Sequence, residues 1–231
     1  MVSDTDARPR NHGLPALVAG VVGVVLVAAA APRVVAALLS LGSQQTVWDV
    51  RHELAVEPAR LGQGAADLGL AAQWFAEGEM ETERGYLLLR RAQFGSDPAL
   101  RDFLYRQARS AIASGLALAP AQPGAWARLA YLRQYEGNAA AAAKAYRMSL
   151  LTGAVMPPLM PSRLELGLRL RPDFDAETRE LLSRQVRLTW IIAPDAIARL
   201  SADSSHGGFI RDALAGLSAA QMEDYQRLNK R

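Results

Sequence analysis

A chain of 231 residues and 24.9 kDa is long enough for one domain with a buried core, or two small ones, and too short for a large multi-domain machine. Its 26 Lys and Arg balance 23 Asp and Glu to a net charge of +3, too even for a nucleic-acid surface, and the lack of Cys excludes a disulfide framework, a thiolate metal site and a cysteine nucleophile. Half of the residues are apolar although 21% are charged, and the excess is local: residues 14–41 hold 22 apolar positions out of 28.

Residues 1–13 read as a cytoplasmic tail carrying Arg8 and Arg10. From Leu14 to Ala31 the chain runs eighteen residues without a charge, about 27 Å of helix and close to the thickness of a bilayer core. Pro32 and Arg33 follow, and VVAALLSL extends the run to Leu41. Residues 14–41 are therefore predicted to be a transmembrane anchor in contact with the lipid bilayer, with Arg33 snorkelling. The competing reading is a signal peptide cut after the four alanines. The apolar core exceeds the usual signal length, and Pro32 directly after the scissile bond disfavours the cut. Arg8 and Arg10 ahead of the span favour a cytoplasmic N-terminus. The expectation is a single-pass protein of the bacterial inner membrane whose C-terminal domain faces the periplasm.

Residues 42–58 read as a linker, beginning with the polar stretch Gly42 to Val47. Beyond Trp48 no stretch alternates in the manner of a strand, and Ala, Leu, Arg, Glu and Gln dominate. Residues 59–231 are thus predicted to form an all-α domain. Helices are expected at 64–77, 81–94, 98–117, 123–136, 139–152, 159–170, 176–192, 194–202, 208–217 and 219–229. Asp97-Pro98, Gly137-Asn138 and Asp175 punctuate them, and Ser218 with Gln221 forms a capping box.

Four carboxylates at Glu77, Glu79, Glu81 and Glu83 are the densest acidic cluster. Glu81 and Glu83 open a helix that closes on Arg90 and Arg91, so the helix dipole accounts for them without chemistry. In Ser204-Ser205-His206-Gly207-Gly208 a hydroxyl neighbours an imidazole, but no acidic orienter is implied, and the glycines read as a helix stop and connector. His12, His52 and His206 are too scattered for a histidine-built metal site, so neither metal nor cofactor is expected. In the last helix Met222, Tyr225 and Leu228 make a narrow apolar stripe of the kind that docks on its own domain.

Pro120 to Leu151 is the most informative stretch. Trp126, Leu129 and Ala130 precede Ala142, Tyr146 and Ser149 at the spacings of a helical hairpin in which large residues fill notches left by small ones. The stretch resembles a tetratricopeptide repeat, clearest over 120–152, and Ala108, Ile112 and Gly115 continue the phase backwards. Arg133 replaces the usual first-helix Tyr, and Ala154 stands where the closing Pro belongs. The resemblance implies a stack of helical hairpins with the remaining helices as caps. It also implies a partner-binding groove at Ala127, Tyr131, Gln134 and Tyr135.

Together these features predict a non-enzymatic, membrane-anchored scaffold or adaptor that binds protein partners in the cell envelope. An accessory role in envelope polysaccharide assembly or secretion is the analogy that the repeat suggests. Two other classes compete. One is a membrane-anchored glycan-cleaving enzyme using a Glu of the 77–83 cluster. The other is an integral-membrane complex subunit acting through its anchor helix, packed through Gly20 and Gly23.

Overall fold

The structure, a computed structural model, describes residues 13–218 together with 220, 223, 226 and 227. Among these it is all-helical, with ten α-helices joined by short connections. The helix expected at 219–229, with Met222, Tyr225 and Leu228, lies outside the described residues apart from isolated positions, as does Gln221 of the capping box.

The first helix, α1 (Gly13–Arg51), is unbroken through Pro32 and through the segment expected to be a linker. The linker reading of residues 42–51 is corrected, and the reason is periodicity. Ala36, Ser40, Ser43, Val47 and Val50 are buried at alternating spacings of four and three, a continuous packing stripe into which the polar residues fit. The Ser40 and Ser43 hydroxyls close on the helix itself, donating to the carbonyls of Ala37 (2.9 Å) and Ser40 (2.7 Å), so burying them leaves no donor unmatched.

The stripe packs against α2 (Pro58–Trp74), which runs antiparallel to α1: Arg60 pairs with Asp49 near one end (3.1 Å), and Arg33 lies over the Phe75 ring beyond the other (4.6 Å). α2 begins six residues earlier than predicted. Pro58 takes the first helical turn, and Gly62 and Gly64 are interior positions, Gly64 being where Leu87 and Thr46 approach the backbone.

Two further hairpins follow, α3 (Gly78–Phe94) with α4 (Pro98–Leu118) and α5 (Pro123–Tyr135) with α6 (Ala139–Thr152). α2 packs on α3 and α4 on α5, so successive hairpins lie side by side. The α3–α4 seam is the tightest, because Gly78 and Gly85 face Gly115 and Ala108 with no room for a Cβ between the backbones. The predicted caps form: Asp97, Asn138 and Asp175 accept from the N–H groups of Ala99, Ala141 and Thr178 at 2.9, 3.1 and 2.7 Å. Gly137 sits at φ +75°, the left-handed stop that only glycine takes without strain.

The chain closes with α7 (Met160–Leu170), α8 (Ala176–Ile192), α9 (Pro194–Ser201) and α10 (Ser204–Ala213). α10 starts four residues before its predicted position, within the Ser-Ser-His-Gly-Gly stretch read as a connector. Asp203 caps it, accepting from Ser205 N–H at 2.8 Å. Gly207 is there for closeness, since a Cβ on it would lie 2.6 Å from the Ser201 carbonyl.

Candidate binding cleft

The six residues that carry the repeat resemblance all lie at the α5–α6 hairpin. Leu129, Ala130, Ala142, Tyr146 and Ser149 are buried, and Trp126 is half-buried with its indole N–H donating to the Pro120 carbonyl at 2.8 Å. Ser149 Oγ donates to the Pro123 carbonyl at 2.7 Å, fastening the end of α6 to the start of α5. Ala130 and Ala142 are fully buried, which lets the two backbones come together.

The four predicted groove residues do not share one open surface. Ala127 and Tyr131, one turn apart on α5, line a cleft of about 240 Å³ between α3, α5 and α7. Ala127 is itself buried, so what it contributes is a flat wall. Leu89, Leu159 and Leu166 supply the apolar lining, and Arg128 and Arg169 supply guanidinium groups. Arg128 lies over the Tyr86 ring at 3.7 Å, and burial lowers its pKa. Arg169 is held by Glu165 one turn earlier on α7.

Tyr135 faces α4 instead. Its hydroxyl donates to Asp102 at 2.7 Å and its ring meets Tyr105 edge-on at 4.5 Å, although 44% of its surface stays exposed. Tyr105 also meets Tyr131 edge-on at 6.3 Å, and burial, followed by the hydrogen bond to Tyr131, pushes its phenol pKa up. Gln134 is half-buried between the two directions. Glu165 lines the cleft as well and offsets the charge of Arg169, so the slot is chiefly apolar.

Arg163, which sequence reasoning passed over, lies at the back of this cleft and is 1% exposed. Its guanidinium donates to the carbonyls of Ser149 (3.1 Å), Gly153 (2.7 Å) and Ala154 (2.7 Å) and to Gln185 Oε1 (2.9 Å). Its acceptors are the free carbonyls at the negative end of α6, where a cation is stabilised. Burial nonetheless lowers its pKa. The signal was available: Met160, Arg163, Leu164 and Gly167 form the buried stripe of α7, and the arginine sits at a core position.

Tyr146 stacks on Phe174 at 5.2 Å, and among the described residues its hydroxyl has no hydrogen-bond partner. Burial pushes its pKa up. Because the hydroxyl is desolvated for no return, Tyr146→Phe is expected to leave the urea midpoint unchanged or raise stability by up to about 1 kcal/mol. A loss above about 1 kcal/mol would show that the hydroxyl does have a partner.

The acidic cluster is occupied by ion pairs. Arg51 at the end of α1 pairs with Glu79 (3.0 Å) and Glu83, and Glu81 pairs with Arg84 (3.0 Å). Burial raises the Glu83 carboxyl pKa, with Arg51 opposing it. Asp203 stands beside Ser205 and His206, an acid that sequence reading had not implied. Ser205 Oγ donates to Asp203 at 2.7 Å, and its contact with His206 Nδ1 is 3.2 Å. Asp203 accepts from both the Ser205 N–H and the Ser205 hydroxyl, the hydrogen-bond pattern of a helix cap. Among the described residues no group of three or more His, Cys, Asp or Glu is placed to hold a metal ion. No family model matches the chain, and no curated protein matches it either.

Proposed function

We propose that the chain is a membrane-anchored helical scaffold that presents a tetratricopeptide-like stack to protein partners of the bacterial cell envelope. The observation that carries this reading is the double use of α1. Its first half is a candidate membrane span with almost no buried surface, and its second half is the first packed helix of the domain. A domain continuous with its own anchor is held at the bilayer without a tether, so a partner captured in a modest cleft gains a high local concentration there. The hairpin packing around Trp126, Ala130 and Tyr146 supports the repeat reading. The cleft at Ala127 and Tyr131 supports recognition of a polypeptide segment with apolar residues. Arg8 and Arg10 favour a cytoplasmic N-terminus and, with it, a periplasmic helical domain. By analogy with repeat-bearing accessory proteins, an envelope polysaccharide assembly or secretion complex is the proposed setting.

The test is a photoreactive amino acid in place of Arg169, at the rim of the cleft, crosslinked in living cells and read by mass spectrometry. Crosslinks to one or a few other envelope proteins are expected. Crosslinks only within this chain would overturn the scaffold reading. A Ser183→Cys variant tests the orientation, since the chain has no cysteine of its own. Labelling by an impermeant thiol reagent is expected without breaching the inner membrane.

A further inference from the structure

We infer that the end of α2 is itself a membrane element: residues 68–76 lie in the interfacial layer of the bilayer beside the span, which makes the contact a two-helix one. The inference rests on the membrane reading of α1 given above. Two contacts place α2 at this height. A Cβ on Gly42 would lie 3.4 Å from Asp67, and Arg33 lies over the Phe75 ring at 4.6 Å. Residues 68–75 therefore run alongside residues 33–42 of α1.

At that height both helices expose large apolar side chains. Leu38 and Leu41 are 62% and 55% exposed on α1, and Leu70 and Trp74 are 51% and 57% exposed on α2. Residues 68–76, LGLAAQWFA, contain no charge, with Asp67 and Glu77 on either side of them.

Three observations select lipid as the occupant. The first is continuity: exposed large apolar residues recur along α1 from Leu17 to Leu41, with Arg33 the one charge among them. Those 25 residues make about 37 Å of helix, more than the roughly 30 Å of a hydrocarbon core. The upper turns therefore reach the interfacial layer on the domain's side, or the helix tilts. The second is composition, since Trp74 is of the residue type that settles at that layer. The third is Arg33, a cation inside the apolar band. Its guanidinium rests on the face of Phe75, an arrangement that lets it stay near the headgroups while the ring remains in the acyl boundary.

The test uses the full chain reconstituted into vesicles of phosphatidylethanolamine and phosphatidylglycerol, with one nitroxide each at Leu26→Cys, Leu70→Cys and Leu54→Cys. Collision with oxygen and with a water-soluble nickel chelate reports depth. Leu26 lies in the span, and the exposed Leu54 follows the opposite end of α1. The oxygen-to-nickel ratio at position 70 is expected to exceed that at position 54 several-fold and to approach that at position 26. A lipid-like signal at 26 with a water-like signal at 70 overturns this inference and leaves the anchor standing. A water-like signal at 26 removes the anchor and the inference together. Low accessibility to both reagents at 70 would mean that a second copy of the chain covers the face, which also overturns it.

Discussion

Replacing Arg163 with Ala is expected to lower the unfolding free energy of the full chain by about 3–5 kcal/mol, since hydrogen bonds from a charged donor contribute about 1.5–3 kcal/mol each and several are lost together. The substitution strips a donor from four acceptors at once, the carbonyls of Ser149, Gly153 and Ala154 and the Gln185 amide oxygen, and of these residues Ser149 and Gln185 are fully buried. It also leaves a cavity the size of the side chain. Arg163→Lys restores the charge but not the planar fork that reaches both the α6 end and Gln185, so it should recover only part of the loss. Urea unfolding in detergent micelles, followed by circular dichroism, measures both. A loss under about 1 kcal/mol for Arg163→Ala would show that the arginine is not a clasp.

The second large effect is expected at the α3–α4 seam. A Cβ on Gly115 would lie 2.6 Å from the Gly78 carbonyl oxygen and 2.8 Å from the Thr82 nitrogen, both backbone atoms of the facing helix. Alanine in a helix gains about 1 kcal/mol over glycine, while overpacking costs about 1–3 kcal/mol and more where the neighbour cannot yield. Because the neighbours are backbone, the clash wins, and Gly115→Ala should be destabilising by about 2 kcal/mol net. Gly69→Ala is the control. Its Cβ would meet only the Arg84 side chain, at 3.5 Å, an ordinary contact. That variant should gain about 0.5–1 kcal/mol from helix propensity alone. Destabilisation of equal size at both positions would mean that the seam is not close-packed.

Local chemistry was legible in the sequence where a single residue decides the outcome. Asp97, Asn138 and Asp175 each cap the helix they announce, because a side-chain acceptor next to the first free N–H groups needs no tertiary context. The same holds for Gly137, whose positive φ is a property of the residue. What stayed hidden depends on a second helix. Ser43 and Thr46 look like linker residues until α2 covers them, and Gly207 looks like a helix stop until the Ser201 carbonyl is found where its Cβ would be.

The cleft shows the same divide. The repeat resemblance grouped Tyr131 with Tyr135, yet the α4 residues Asp102 and Tyr105 draw Tyr135 aside while α7 makes the other wall around Ala127 and Tyr131. Arg163 was hidden because the carbonyls that hold it come from residues 9 to 14 positions away along the chain, beyond the reach of its own helix turn. Its core spacing within α7 was the one available clue.

The account turns on α1 being one helix that both enters the bilayer and opens the domain. Intact mass spectrometry of the chain recovered from cell membranes after a high-pH carbonate wash tests this most directly. The prediction is a species in the washed membrane pellet that retains the apolar residues 14–31. A soluble species whose N-terminus is Pro32 would contradict it, since the apolar half of α1 would then be a signal that is removed and the domain would stand free of the membrane.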